Sequence, residues 1–166
     1  MRPLSKKILL AMISTALLSV AALKWLPNST APDVTFTTIE GKKIAMADLK
    51  GNLVLVNFWA TTCYTCIEEM PDLVRIYKLY HARGLEVIAV AMPDDPPAQV
   101  FNYVHQQQLP FPVMHDGFAD ITEKFGGVDL TPSTFIFDKQ AKRLQRTIGK
   151  LDFVQLDQLL NAELSK

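Results

Sequence analysis

Cysteine is scarce in this sequence. Only two of the 166 residues are cysteines, Cys63 and Cys66, and no second pair follows them. A structural zinc site normally takes four ligands, and the three histidines, His81, His105 and His115, are scattered along the chain. We therefore expect neither a metal site nor a cofactor.

Net charge is also absent, since 17 basic residues balance 17 acidic ones. No long basic run occurs, which argues against a nucleic-acid partner. The charges are unevenly spread, because no acid precedes Asp33 whereas Arg2, Lys6, Lys7 and Lys24 do. Removing these four leaves 13 basic against 17 acidic residues, a net charge of −4 for the rest of the chain.

Long hydrophobic runs are missing except at the N-terminus, where residues 8–23 are apolar and uncharged. A basic head of residues 1–7 precedes this run and stays in the cytoplasm by the positive-inside rule. We predict a signal anchor over residues 8–26, a linker over 27–32 and one domain over 33–166. A cleaved signal is the alternative, with a small-residue site at Ser19-Val20-Ala21. Either way the domain lies on the periplasmic side of a bacterial inner membrane, where disulfides persist.

Internal repeats, low-complexity tracts and a second domain are absent as well. Strand and helix patterns alternate along the domain, which predicts a mixed sheet covered on both faces. The predicted elements are a hairpin around Glu40-Gly41, strands at Leu53–Trp59, Leu85–Met92, Phe111–Met114, Thr134–Phe137 and Arg143–Ile148, and helices at Cys63–Arg83, Ala98–Gln108, Phe118–Phe125 and Leu151–Leu164.

The two cysteines follow a buried strand and open a helix. Free N–H groups and partial positive charge at a helix N-terminus stabilise a thiolate, which is the nucleophile of disulfide exchange. In this interpretation Cys63 attacks a partner disulfide, and Cys66 resolves the mixed disulfide. A structural disulfide and a Cu(I) carrier remain alternatives, although so short a loop contributes only about 2 kcal/mol to stability.

Three further residues fit redox chemistry. Pro132 precedes a strand, where a cis bond would expose backbone groups to an extended partner; an ordinary loop proline is the alternative. Glu69 lies one turn after Cys66 and could exchange protons with it, unless it is simply a solvated acid. Asn57 is polar within an apolar strand, so it either hydrogen-bonds near the site or is a satisfied core amide.

The segment VNFWATTCYTCIEEMPDL resembles the active-site segment of the TlpA/ResA group of membrane-tethered thioredoxin-like proteins. The likeness extends from about Ala31 to the C-terminus and includes Pro71 and the TPSTFIFD segment. It implies a thioredoxin-like three-layer α/β/α sandwich with a mixed central sheet and an N-terminal hairpin extension. An extra helix and strand would be inserted between Pro93 and Met114.

The resemblance also implies roles for individual residues. Cys63 matches the exposed nucleophile and Cys66 the resolving thiol of a redox disulfide. Pro132 matches the cis-proline that faces the cysteines, with Thr131 contacting substrate. Glu69 matches the acid that tunes the thiols in this group. Asn57 stands where thioredoxins proper carry a buried acid, so Glu69 would substitute for that proton acceptor.

The sequence departs from the group's pattern beside the cysteines. Thr62 replaces the usual Trp before the first cysteine, and Tyr64-Thr65 replaces a pair that usually ends in proline. We expect Thr62 and Tyr64 to contact partners. Thr65 retains an N–H that would favour the thiolate and raise the potential. Ser133 follows Pro132, where cytochrome c-maturation members often carry Glu, which weakens an assignment to that pathway.

Taken together, these patterns predict a thiol–disulfide oxidoreductase that reduces protein disulfides. Its expected partners are exported proteins bearing disulfides or thiols and a membrane electron donor that recharges it. We expect a monomer. The alternatives are a disulfide oxidase or isomerase of the same fold, or a Cu(I)-binding thiol chaperone.

Overall fold

A five-stranded mixed sheet forms the centre of the computed structural model, which describes residues 30–166. Its strands are β3 (Leu53–Trp59), β4 (Leu85–Ala91), β5 (Val113–His115), β6 (Ser133–Phe137) and β7 (Arg143–Ile148). They lie in the order β5-β4-β3-β6-β7. Strands β5, β4 and β3 are mutually parallel, β6 is antiparallel to β3, and β7 is antiparallel to β6.

Both faces of the sheet are covered. One face packs against three helices: α1 (Tyr64–Tyr80), α2 (Pro97–Gln107) and α4 (Phe153–Leu164). The other face packs against the short helix α3 (Asp120–Lys124) and the hairpin of β1 (Thr35–Thr37) and β2 (Lys43–Ala45). This is the predicted thioredoxin-like three-layer sandwich. The hairpin supplies the N-terminal extension, and α2 with β5 forms the predicted insertion.

Central strand β3 is buried along its whole length, as its continuously apolar sequence predicts. It is parallel to β4 on one side and antiparallel to β6 on the other. Its carboxyl end at Trp59 therefore lies beside the start of β6, since Phe58 pairs with Ser133. Residues that follow β3 and residues that precede β6 meet at this end of the sheet.

Several element boundaries differ from the predictions, and side-chain caps explain two of them. Helix α1 begins at Tyr64 because Cys63 is its N-cap, and α4 begins at Phe153 because the Asp152 carboxylate caps the N–H groups of Val154 and Gln155. Smaller differences are a 3-10 turn at His81–Arg83, an unpredicted 3-10 turn at Met46–Leu49, a later β5 and a shorter α3.

The predicted basic head, the apolar segment 8–26 and the first three linker residues lie outside the described residues. Within residues 30–166, no helix is long and apolar enough to cross a membrane. At the start of the described chain, Thr30 forms an antiparallel bridge with Lys142. The Ala31 N–H also donates to the Ala141 carbonyl over 2.8 Å. These contacts fix residues 30 and 31 against the turn between β6 and β7.

Candidate active site

Cys63 and Cys66 form a disulfide at the N-terminus of α1, with an S–S distance of 2.10 Å and a Cα–Cα distance of 5.2 Å. Cys63 has extended backbone dihedrals and precedes the first helical residue, whereas Cys66 lies within the first turn. Their exposure differs in the same way. Cys63 is half-buried, and Cys66 is 0% exposed. An incoming sulfur therefore reaches Cys63 before Cys66.

Electrostatics at this helix end favour a negative Cys63 sulfur. The Cys66 N–H donates to Cys63 Sγ over 3.2 Å, so the sulfur already accepts a helix N-terminal donor. The first turn of α1 contains no acid that would oppose a thiolate. Once the disulfide is reduced, the helix dipole and this N–H stabilise the thiolate at Cys63.

Glu69 is the buried acid of the site, 1% exposed and one turn along α1 from Cys66. Its Oε1 accepts a hydrogen bond from Asn57 Nδ2 over 3.2 Å, and its Oε2 accepts one from the Leu151 N–H over 3.1 Å. Burial raises the pKa of this carboxyl, and the two hydrogen bonds with the nearby Lys150 charge offset part of the rise. Glu69 is therefore not the solvated acid that the sequence left as an alternative.

The Asn57 side chain, on β3, forms hydrogen bonds with one residue on α1 and one on β6. Its Nδ2 donates to Glu69 Oε1 and, over 3.0 Å, to Thr134 Oγ1 on β6. Asn57 is 0% exposed, and among the described residues its Oδ1 has no hydrogen-bond partner. The Asn57 amide thus hydrogen-bonds the Glu69 carboxyl through its NH₂ group, while its carbonyl oxygen accepts no hydrogen bond from the described residues. Thr134 was not singled out from the sequence, because only the pairing of β3 with β6 places it opposite Asn57.

Pro132 lies at the end of the sheet where the cysteines lie, directly before β6. The Thr131–Pro132 bond is cis, the geometry implied by the resemblance. The Pro132 carbonyl accepts from the Gly149 N–H over 2.8 Å, while Thr131 is half-buried. Ser133 is buried and donates through its Oγ to the Leu130 carbonyl over 2.7 Å.

The exposed residues around Cys63 include large apolar side chains. Tyr64, next to Cys63, is 78% exposed, and Thr62 on the other side is exposed as well. Leu130, before the cis bond, is 62% exposed, and Ile148, which pairs with Ser133, is 56% exposed. Large apolar side chains are therefore exposed at this end of the sheet, and the Tyr64 ring is the one next to Cys63 in the chain. The resembling group instead carries a tryptophan directly before its first cysteine.

A buried carboxylate holds the turn that leads into the cysteines. Asp95 is 2% exposed, and its oxygens accept from the N–H of Thr61 over 2.6 Å and from the Thr61 hydroxyl. The Asp95 carbonyl contacts His115 Nε2 at 2.8 Å. Asp95 belongs to the loop before α2, so the inserted segment contacts the active-site turn directly. Sequence patterns gave no sign of this contact, because Thr61 and Asp95 are 34 residues apart in the chain.

Comparison with known proteins agrees with this geometry. The Redoxin family model matches residues 26–160, which is most of the chain. This chain belongs to the redoxin family. Thiol-disulfide oxidoreductase ResA of Bacillus thuringiensis subsp. konkukian is 38% identical to this redoxin over 130 residues, covering 78% of the redoxin and 74% of ResA.

Solved structures resemble this redoxin closely as well. A candidate thioredoxin from Neisseria meningitidis has a TM-score of 0.77 at 32% identity, covering 84% of the redoxin and 93% of that chain. A thiol:disulfide interchange protein of the thioredoxin family from Chlorobium tepidum has a TM-score of 0.75 at 28% identity, covering 84% and 98%. With its cysteine pair, the redoxin is a thioredoxin-like thiol–disulfide oxidoreductase of the ResA kind.

Proposed function

We propose that this protein reduces disulfides of exported proteins on the periplasmic side of a bacterial inner membrane. The observation that carries the proposal is the asymmetry of the cysteine pair. Cys63 is half-buried at a helix N-terminus with a donor on its sulfur, and Cys66 is buried behind it. In such a pair the more exposed Cys63 thiolate attacks the partner disulfide, and the buried Cys66 thiolate then forms the intramolecular disulfide.

The proposed cycle begins with the reduced dithiol. The Cys63 thiolate attacks one sulfur of a partner disulfide, a mixed disulfide forms, and the partner's second sulfur leaves as a thiolate. The Cys66 thiol then loses its proton and attacks Cys63 Sγ, which forms the Cys63–Cys66 disulfide and releases the partner's first sulfur. Two electrons pass to the partner, and a membrane dithiol donor returns the pair to its reduced form.

Glu69 is proposed to manage the proton of Cys66. It is buried one turn away on α1, and burial raises the pKa of its carboxyl, which makes the ionised group a stronger proton acceptor than an exposed glutamate. Asn57 holds this carboxyl through the hydrogen bond from Nδ2. Thr131, Pro132, Thr62 and Tyr64 are proposed to receive the partner polypeptide beside Cys63. No metal or cofactor takes part in this scheme, and the protein acts as a monomer.

Membrane attachment through residues 8–26 belongs to the same proposal. The basic head and apolar run support it, and the tether would keep the domain near its electron donor. A cleaved signal would instead give a soluble periplasmic protein. These two outcomes are separated by the gel mobility of two proteins expressed in bacteria, the wild type and a variant whose Ser19-Val20-Ala21 site is blocked. Equal mobility indicates an uncleaved anchor, and a faster wild type indicates cleavage.

Cysteine variants test the chemistry. Cys63→Ser should remain folded and lose disulfide exchange, whereas Cys66→Ala should accumulate mixed disulfides through Cys63. Exchange retained by Cys63→Ser would refute the proposed cycle. Partners trapped by Cys66→Ala and released by reductant identify the substrates.

The direction of electron flow is tested by the reduction potential. Equilibration of the Cys63–Cys66 pair with glutathione should give a potential in the range of reducing thioredoxins. A potential close to that of strong oxidants would instead support the oxidase or isomerase alternative. Tight Cu(I) binding by the reduced protein with negligible exchange would support the copper chaperone.

A further inference from the structure

A basic cavity lies on the face of the sheet that packs against α3, away from the cysteines. Its volume is about 280 Å³, and Lys124, Arg143 and Arg146 line it together with Thr30. No aspartate or glutamate lines this cavity. Among the described residues, neither arginine forms an ion pair, and the Lys124 ammonium makes only a long 3.4 Å hydrogen bond to the Asp33 carbonyl.

An irregularity in strand pairing brings the two arginines to one cavity. Residues three apart on a regular strand face opposite sides of the sheet. Here Arg146 pairs with Phe135 and Arg143 pairs with Phe137, because the register shifts and Leu144 has no partner. The bulge therefore turns both arginines to the face where Phe135 and Phe137 are buried.

One arginine is also held in place by an aromatic ring. The Arg146 guanidinium lies 5.0 Å from the centroid of Phe135, and Phe125 and Phe137 line the same cavity. Stacking on a ring limits the guanidinium's freedom and keeps its donors available. Two guanidinium groups and one ammonium around a shared space match the oxygens of a phosphate, which arginine binds through paired hydrogen bonds.

We propose that this arginine cavity binds the phosphate of an anionic membrane phospholipid. Thr30 lines the cavity, and the predicted anchor ends at Leu26, so only residues 27–29 separate the two. Three residues extend at most about 10 Å. The choice of a lipid rests on the proposed anchor, which would bring the cavity to the headgroup layer.

The cavity lies at the other end of the sheet from the redox pair. Arg143 pairs with Phe137, which pairs on its other side with Val54 near the start of β3, whereas the cysteines follow the end of β3. Lipid bound in the arginine cavity would therefore hold this end of the domain against the membrane and direct Cys63 away from it.

The test uses the full chain, labelled with ¹⁵N, in neutral phosphatidylcholine nanodiscs. Phosphatidylglycerol is added to the lipid in one arm, and inorganic phosphate is added to the buffer in the other. The Nε–Hε resonances of Arg143 and Arg146 report binding. We expect a saturable shift as the fraction of phosphatidylglycerol rises and a much smaller response to inorganic phosphate.

Matched variants separate a site from general surface charge. Arg143→Gln/Arg146→Gln should raise the phosphatidylglycerol fraction needed for half-maximal response of the cavity amides by at least about tenfold, and Lys124→Gln should raise it less. Lys42→Gln/Lys43→Gln removes the same charge from the exposed hairpin and should change nothing. If the double arginine variant does not fold, Lys124→Gln still tests the cavity, because it changes an exposed side chain that should not be needed for folding.

Three outcomes would overturn the proposal: no shift in either arm, an equal loss of response in the hairpin variant, or phosphate binding in neutral discs as tight as lipid binding. Exchange with a small disulfide is measured in parallel and should be unchanged in Arg143→Gln/Arg146→Gln. If the wild-type protein exchanges disulfides but does not respond to phosphatidylglycerol, only the lipid-binding proposal is overturned. If it responds to phosphatidylglycerol but does not exchange disulfides, only the proposed function is overturned.

Discussion

Asn57 Nδ2 lies 3.2 Å from Glu69 Oε1, and this contact joins the central strand to the helix that carries both cysteines. The Leu151 N–H donates to the other oxygen of the carboxyl, so two segments from outside α1 hold it. The first three predictions concern the charge of this carboxyl and the exposed Tyr64 ring beside Cys63.

Glu69→Gln should alter how stability depends on pH. Burial raises the folded-state pKa of Glu69 above its ordinary value of 4.5, so ionisation costs more in the folded protein than in the unfolded chain. The stability contributed by the protonated group is full below the unfolded value and is lost as pH rises through the folded pKa. The unfolding free energy of the wild type should therefore fall relative to Glu69→Gln between acidic and neutral pH, in urea titrations of the oxidised proteins.

The control for this experiment is the neighbouring acid. Glu68 is exposed and ion-paired with Lys150 over 2.8 Å, so Glu68→Gln should change stability by less than about 1 kcal/mol throughout. A constant difference between wild type and Glu69→Gln across the pH range would contradict the prediction. The glutamine is tolerated because the unpaired Asn57 Oδ1 can accept from its NH₂ group after the amide turns.

Glu69→Gln should also slow the second half of the exchange cycle. Without an ionisable group near Cys66, the thiol must lose its proton to solvent, and the mixed disulfide should persist on the order of 10²-fold longer. Quenched-flow trapping with a peptide disulfide measures this lifetime, and the first attack by Cys63 should change much less. Equal slowing of both steps, or slowing of the same size in Glu68→Gln, would show that Glu69 has only a structural role.

Tyr64→Ala should affect partners more than chemistry. The ring is 78% exposed beside Cys63, so its removal should change stability by no more than about 0.5 kcal/mol. Reduction of a folded protein disulfide should slow several-fold, while reduction of oxidised glutathione stays nearly constant. Leu79→Ala is the control, since Leu79 is also exposed but lies at the far end of α1. Equal effects on both substrates would show that Tyr64 does not contact partners.

Asp95→Asn should destabilise the protein by about 1.5–3 kcal/mol, because hydrogen bonds to a buried carboxylate are among the stronger ones. The N–H and the hydroxyl of Thr61 donate to different oxygens of Asp95, and asparagine would replace one of these oxygens with an NH₂ group that cannot accept. Asp94→Asn, at an exposed neighbouring residue, should change stability little. The measurement is the urea midpoint of unfolding for each variant. Equal midpoints for Asp95→Asn and Asp94→Asn would show that the contacts between Asp95 and Thr61 do not stabilise the fold.

The sequence was sufficient wherever a signal is local. The apolar run Leu53–Trp59 predicted β3 with its observed bounds, and its junction with the cysteines predicted the helix N-terminus. The same patterns predicted the hairpin and the inserted helix and strand. The first residues of helices were less certain. Hydrophobic periodicity does not tell an N-cap residue, such as Cys63 or Asp152, from a residue in the first turn of the helix.

Contacts between distant segments were beyond sequence patterns. Thr134 meets Asn57 only through the register of β3 with β6, the Leu151 N–H reaches Glu69 from the start of α4, and Asp95 reaches Thr61 from the insertion. Each contact depends on how the segments pack in three dimensions, and no residue spacing encodes it. The structure places Asn57 Nδ2 3.2 Å from Glu69 Oε1, and the roles of the two residues remain predictions.

The short distance along the chain from Thr30 to the predicted anchor has a consequence for encounter kinetics. Because Thr30 is bridged to Lys142, a membrane anchor over residues 8–26 would leave only residues 27–29 between the bilayer and the domain. The dithiol would then be carried by the rigid sheet at a set height, and β3 alone spans about 20 Å. A donor or substrate anchored in the same bilayer would search for Cys63 in two dimensions, within a thin layer of fixed height.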